Sequence, residues 1–326
     1  MTERATFYSQ EAANRRESIL LVIVVAAVLG LLGFAIGYGT SGVVGTGIAV
    51  TGGAIGLATV LSLGSYFGGD SLVLGTSGAK EVNATSAPQL MNVVQEMSIA
   101  AGVPMPRVYV IDDTAPNAFA TGRDPKHASV AVTTGLLQKL NREELQGVLG
   151  HELSHVRNFD IRFALLVAVL VGSIALMADF FLRFTWFGGG RRSGSRDREG
   201  GALQVIVFAV AIVLAVLAPI FARFVQLAVS RQREYLADAS GVELSRNPHG
   251  LESALAKIAS DQEVLEVANR ATQHLYFTNP IKKFEARSGS MFSTHPPIVD
   301  RINRLRQLTG EAPMDQQEFA ALRGLD

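Results

Sequence analysis

The chain has no cysteine, which excludes disulfides and leaves imidazole and carboxylate as the materials for any metal site. Charge is also scarce, with 18% charged against 48% hydrophobic residues and a mean hydropathy of +0.26. Net charge is absent as well. Lys+Arg and Asp+Glu both total 29, so no overall field recruits nucleic acid or an acidic partner. No GxxxxGK[ST] loop occurs, which removes the phosphate cradle that an ATP-driven enzyme needs.

The missing charge is concentrated in particular places. From Ser18 to Gly69 there is not one charged side chain. A helix needs about 20 apolar residues to cross ~30 Å of hydrocarbon. The runs 19–38 and 43–64 meet that length, the second with more glycine, and their close succession reads as an uncleaved hairpin and not a signal peptide. Two later runs, 163–178 and 202–222, form another hairpin around the polar, glycine-rich stretch GGGRRSGSRDREGG. The third run is the shortest, and a buried core helix is its other reading.

The expected organisation therefore has five parts. A cytoplasmic tail (1–17) precedes a transmembrane hairpin (18–69) and the first part of a soluble domain (70–161). A second hairpin (162–230), with a loop at 186–201, leads to the second part of that domain (231–326). Arg4, Arg15 and Arg16 place the tail in the cytoplasm, and an even number of crossings returns the soluble parts to that side. Arg191, Arg192, Arg196 and Arg198 sit in the loop that alternation puts outside. Either the charge rule is overridden there or the second hairpin dips without crossing; four spans is the reading adopted.

Residues 85–160 read as a compact α/β segment. SAPQLMNVVQEMSIAAG predicts a helix opened by Ser86 and Pro88 and closed by Gly102. Residues 107–111 and 128–137 read as strands, with PNAFATG (116–122) extended between them. In NREELQGVLGHELSHVRNF, Asn141 and Glu144 form a capping box, and Leu145, Val148, Leu149 and Leu153 make the buried stripe.

This last helix carries HELSH. His151 and His155, four apart, share one face and can hold one ion. Glu152 projects from the adjacent edge, near enough to act on a water there without being a ligand. A third ligand is then required. HExxHxxGxxH is excluded by Asn158 and Ile161, and Asp160 is too close along the same helix. Asp179, Asp197 and Glu199 lie within or beyond the third run. The hairpin returns the chain beside its starting point, at SRQREYLADASGVELSR, where Glu234 and Asp238 stand one turn apart. Glu234 can complete a His2Glu set, and Asp238 can accept an N–H from a ligand histidine. Without a metal, both acids would be surface groups paired with Arg231 or Arg233.

HELSH followed by REYLADA, with NAFATG upstream and STHPP downstream, resembles the HtpX-type membrane zinc metalloproteases, relatives of the CAAX prenyl proteases. The resemblance covers nearly the whole chain, including the alternation of hydrophobic pairs and catalytic segments. It implies a mainly helical α+β fold: four transmembrane helices and a zincin-like cytoplasmic domain with a small β-sheet. It implies one Zn2+ held by His151, His155 and Glu234, with Glu152 as general base. It further implies membrane-protein quality control in the plasma or inner membrane, with polypeptide substrates and the lipid bilayer as partners. By the same resemblance His295 and Arg301 lie beside the zinc, where they could stabilise an oxyanion or orient a substrate carbonyl. His127, His249 and His274 read as loop or surface residues.

The expected reaction is endopeptidase cleavage, in which Glu152 moves the proton of an attacking water to the leaving amine. NAFATG is the candidate edge strand for extended substrate, with Asn117 offering a side-chain hydrogen bond. A protease acting on lipidated proteins is the alternative enzyme, and a non-catalytic membrane scaffold the alternative class. A scaffold or transporter would place charges inside the spans, which are nearly free of them.

Overall fold

The computed structural model describes residues 7–164, 174, 177–179, 181–183, 201–261 and 296–322. The chain divides into two compact units, Ala12–Tyr66 with Leu166–Gln226, and Met1–Glu11 with Phe67–Leu165 and Leu227–Asp326.

The first of these is helical. The uncharged run from Ser18 to Gly69, with no strand alternation, lies on α1 (Phe7–Ser41) and α2 (Val44–Thr76). Among the described residues, two stretches are long and apolar enough to cross a membrane, Ile23–Ser41 and Val44–Gly64, with mean hydropathies of 2.1 and 1.7. They pack closely at glycine: a Cβ on Gly37 would lie 2.6 Å from the Thr46 carbonyl oxygen, so no larger residue fits that crossing. Leu31, Leu57 and Val60 point outward with more than half their surface exposed. Most of the third run falls outside the described residues. The fourth lies on one long helix, α6 (Gly201–Ser245), whose described apolar stretch is Val205–Leu217. Leu32 and Ala35 of α1 pack with Ala178, Phe181, Ala211 and Ala215, so all but the second run meet in one apolar cluster.

The second unit is built on a mixed four-stranded sheet. Its strands are β1 (Lys80–Glu81), β2 (Arg107–Ile111), β3 (Ala118–Gly122) and β4 (Ala128–Thr133), in the order β1-β2-β4-β3. β2 and β4 run parallel, and β3 pairs antiparallel with β4 at one edge, Ala120 opposite Val130. Alternation sends Val130 and Val132 to one face. There they meet Val93 and Val94 of α3 (Pro88–Ala101) and Val148 and Leu149 of α5 (Arg142–Arg157). The same core takes in Leu251 and Leu255 of α7 (Pro248–Ser260) and Ile302 and Leu305 of α8 (Ile298–Thr309). A short α9 (Gln316–Leu322) closes the described chain.

Three local readings change. The strand expected over 128–137 ends at Thr133, whose hydroxyl accepts the Leu136 N–H and starts α4 (Thr134–Lys139). The cap of α3 is Ala87, without a side-chain bond, because Ser86 is engaged with Asn83 instead. β1 was not expected at all; two residues carry too little pattern to be read. The Gly102 stop, with φ 67°, and the complete Asn141–Glu144 capping box are as expected.

Candidate metal centre

Two helices from distant parts of the sequence build the site. α5 supplies His151, Glu152 and His155, and the last turns of α6 supply Glu234 and Asp238 on one face. Glycine sets how closely the helices approach. A Cβ on Gly241 would lie 2.8 Å from the His151 nitrogen, and one on Gly150 would lie 3.1 Å from the Gly241 oxygen. The contact of these two glycines draws the α6 acids onto the α5 imidazoles.

The resulting triangle is small. His151 Nε2 and His155 Nε2 are 3.2 Å apart, and Glu234 carboxylate oxygens lie 3.7 and 3.6 Å from them. Zinc bonds of ~2.0–2.2 Å at tetrahedral angles require ligand atoms roughly 3.3–3.5 Å apart. The three donors therefore fit a zinc-sized ion, and a His2Glu set leaves one position for water or substrate. A second grouping of His249, Glu252 and Glu311 lies near the surface, but Arg306 Nε already donates to Glu252 at 2.7 Å.

Each imidazole turns its other nitrogen to a carboxylate. His151 Nδ1 is 2.9 Å from Asp238, which also accepts bonds of 2.9 and 2.7 Å from Nε and Nη2 of Arg301. His155 Nδ1 is 3.0 Å from Asp160, whose other oxygen accepts from Arg233 Nη1 at 3.1 Å. The contact between Asp160 and Arg233 also shows the two ends of the 162–230 segment close together.

Burial dominates the electrostatics. Glu152 is pushed up to about 7 by burial, against the opposing charge of His155 and a hydrogen bond from the Ala120 N–H. Glu234 is likewise raised to about 7 by burial. Burial lowers His151 to about 3, since its charged form has no water around it. Burial acts the same way on His155 but is outweighed by the Asp160 bond and the nearby carboxylates, which raise it to about 9. For Asp238, burial is outweighed by the Arg301 charge and the hydrogen bonds from His151 and Arg301, which hold it well below the usual carboxylate range.

The structure thus brings together His151, Glu152, His155, Glu234, Asp238 and Arg301. The reading of Glu234 and Asp238 as surface acids does not hold, since they are 7% and 3% exposed. Arg301 lies beside the site, fully buried against Asp238. Asn117 precedes β3 and is 2% exposed, its side-chain oxygen accepting the Ala118 N–H. His295 and His274 lie outside the described residues; His127 and His249 are more than half exposed. Sequence reasoning paired Arg233 only with Glu234 or Asp238 and gave Asp160 no role, because the turn that joins Asp160 to Arg233 follows no recognisable pattern.

Residues 84–309 match Peptidase family M48. A "Protease HtpX homolog" of Streptococcus uberis is 43% identical over 301 residues, covering 92% of this chain and 99% of its own length. Another, of Caldanaerobacter subterraneus subsp. tengcongensis, is 44% identical over 313 residues, covering 95% and 100%. Among solved structures, that of S. mikatae Ste24p aligns with a TM-score of 0.47 and 17% identity, over 77% of this chain and 57% of that one. The family match over most of the chain, and relatives above 40% identity along nearly all of it, carry one conclusion: the protein belongs to peptidase family M48, with HtpX-type proteases as its relatives.

Proposed function

We propose that this metalloprotease holds one zinc ion with His151, His155 and Glu234, and that Glu152 is its general base. The observation that carries the reading is the buried triangle of two Nε2 atoms and one carboxylate, 3.2–3.7 Å on its sides. Zinc bound there would polarise a scissile carbonyl and acidify a water in the open position. Glu152, buried on α5 beside the two histidines, would take a proton from the attacking water. It then delivers that proton to the leaving amine. His295 is assigned to the developing oxyanion.

Polypeptides are the substrates, and membrane proteins in need of removal are the class proposed. Extended substrate would add to β3, the sheet edge whose Ala120 N–H reaches Glu152, with Asn117 at its start. All five β3 residues are buried in this conformation, so strand addition requires that edge to open. Arg301 orients Asp238 in this scheme instead of touching substrate. The domain reading is 1–17, 18–69, 70–161, 162–230 and 231–326, with four spans and a cytoplasmic site. Two long apolar helices, the division into a helical unit and a sheet-bearing unit, and the arginines of the N-terminal tail support it.

The test is zinc content and peptide cleavage on the detergent-purified full chain. One equivalent of zinc, with cleavage abolished by a chelator and restored by zinc, is expected. Cleavage that continues after complete metal removal would overturn the reading.

A further inference from the structure

We infer that Asp160 is a positioning residue of the metal centre, orienting His155 toward the ion while Arg233 clamps its carboxylate. The inference rests on the zinc reading above. Its starting point is the end of α5. The helix is capped at Asn158, and Phe159 then adopts φ 60°, a left-handed conformation that a side chain with a Cβ disfavours. Had α5 continued, Asp160 would stand five residues beyond His155, about 140° around the helix axis and turned away from it. The left-handed residue instead swings Asp160 back, to 3.0 Å from His155 Nδ1.

The carboxylate is held there from its other side. Arg233 Nη1 donates to the second oxygen at 3.1 Å, and the guanidinium lies 3.6 Å from the Phe163 ring centre. Asp160, Arg233 and Phe163 are 5%, 9% and 7% exposed. A plain ion pair joining two chain ends would leave the imidazole out. Here the carboxylate is divided between imidazole and guanidinium, repeating the arrangement of His151, Asp238 and Arg301. Arg233 directly precedes Glu234, so the turn that delivers one proposed ligand also fixes the orientation of another. A hydrogen bond to Nδ1 leaves Nε2 directed at the ion.

The experiment is zinc competition against a chromogenic chelator on the detergent-purified full chain, together with the absorption spectrum of the cobalt-substituted protein. Asp160→Ala is expected to bind zinc roughly 10–100-fold more weakly than the parent and to shift the cobalt bands. Asp160→Asn keeps an oxygen that can accept the Nδ1–H, so it should recover most of the affinity and the parent spectrum. Arg233→Met should fall between the two. If Asp160→Ala fails to fold because Arg233 is left buried and unpaired, Asp160→Ala/Arg233→Met removes both charges and carries the same expectation. Parent-like affinity in Asp160→Ala or in that double variant would overturn the inference while leaving the zinc reading intact. A parent chain that holds no zinc, or a His155→Ala variant that holds it normally, would overturn both.

Discussion

Arg301 is a full positive charge with no solvent exposure, and Asp238 is what makes that tolerable. Removing one partner of a buried ion pair strands the other charge at a cost of about 3–5 kcal/mol. Asp238→Ala, which removes the acceptor of the His151 Nδ1–H as well as the charge, should therefore lose stability as well as roughly 10–100-fold in zinc affinity. The double variant Asp238→Ala/Arg301→Met should regain much of the stability and none of the affinity; equal recovery of both would show that Asp238 acts only through packing. Glu152→Gln separates proton transfer from binding. It should keep a full zinc equivalent and lose cleavage by at least about 100-fold, since general acid–base help of that order disappears; normal turnover would remove Glu152 from the mechanism. The same residues set a pH dependence. Glu234 titrates near 7 and His155 near 9 in the metal-free chain, so both hold protons below those values and zinc uptake must expel them. Zinc affinity should fall at least about tenfold from pH 8 to pH 6, and equal affinities at the two would contradict the assignment.

At the scale of elements, the site depends on how closely α5 and α6 approach. The contact between Gly150 and Gly241 is backbone against backbone, and flexible side-chain ends cannot give way there. Gly241→Val should force the helices apart, with an overpacking cost of about 1–3 kcal/mol. It should also displace Glu234 from the histidines, so zinc affinity should fall although no ligand is altered. Glu243→Gln, exposed on the same helix, should leave both melting temperature and zinc affinity at parent values. A Gly241→Val protein with parent-like zinc binding would mean that helix separation does not set the ligand geometry.

For the whole molecule, the decisive question is which side of the bilayer carries the site. The chain has no cysteine, so single cysteines report without background. A cysteine at Thr85, exposed before α3, should resist an impermeant thiol reagent in intact cells and react after lysis. One at Ser195 should be labelled from outside if the 162–230 hairpin crosses, and protected if it only dips. Labelling at Thr85 in sealed cells would reverse the proposed orientation.

Local chemistry was enough for several features, because each depends on neighbours along the chain. The capping box at Asn141 and Glu144, the Leu145–Leu153 stripe and the shared face of His151 and His155 follow from helix geometry alone. So did the length of the first two apolar runs. That Glu234, 79 positions beyond His155, would stand beside the histidines was expected from a chain returning to where it left, and its carboxylate does lie 3.6 Å from His155 Nε2. Tertiary structure decided the rest. The sequence does not announce that a phenylalanine will turn left-handed and carry Asp160 to His155, nor that Arg301 will face inward onto Asp238. β4 stops at Thr133 because its hydroxyl finds a helix to cap. In each case the outcome depends on a partner distant in sequence or on a disfavoured backbone state that only surrounding packing can hold. A one-dimensional pattern cannot specify that kind of energy.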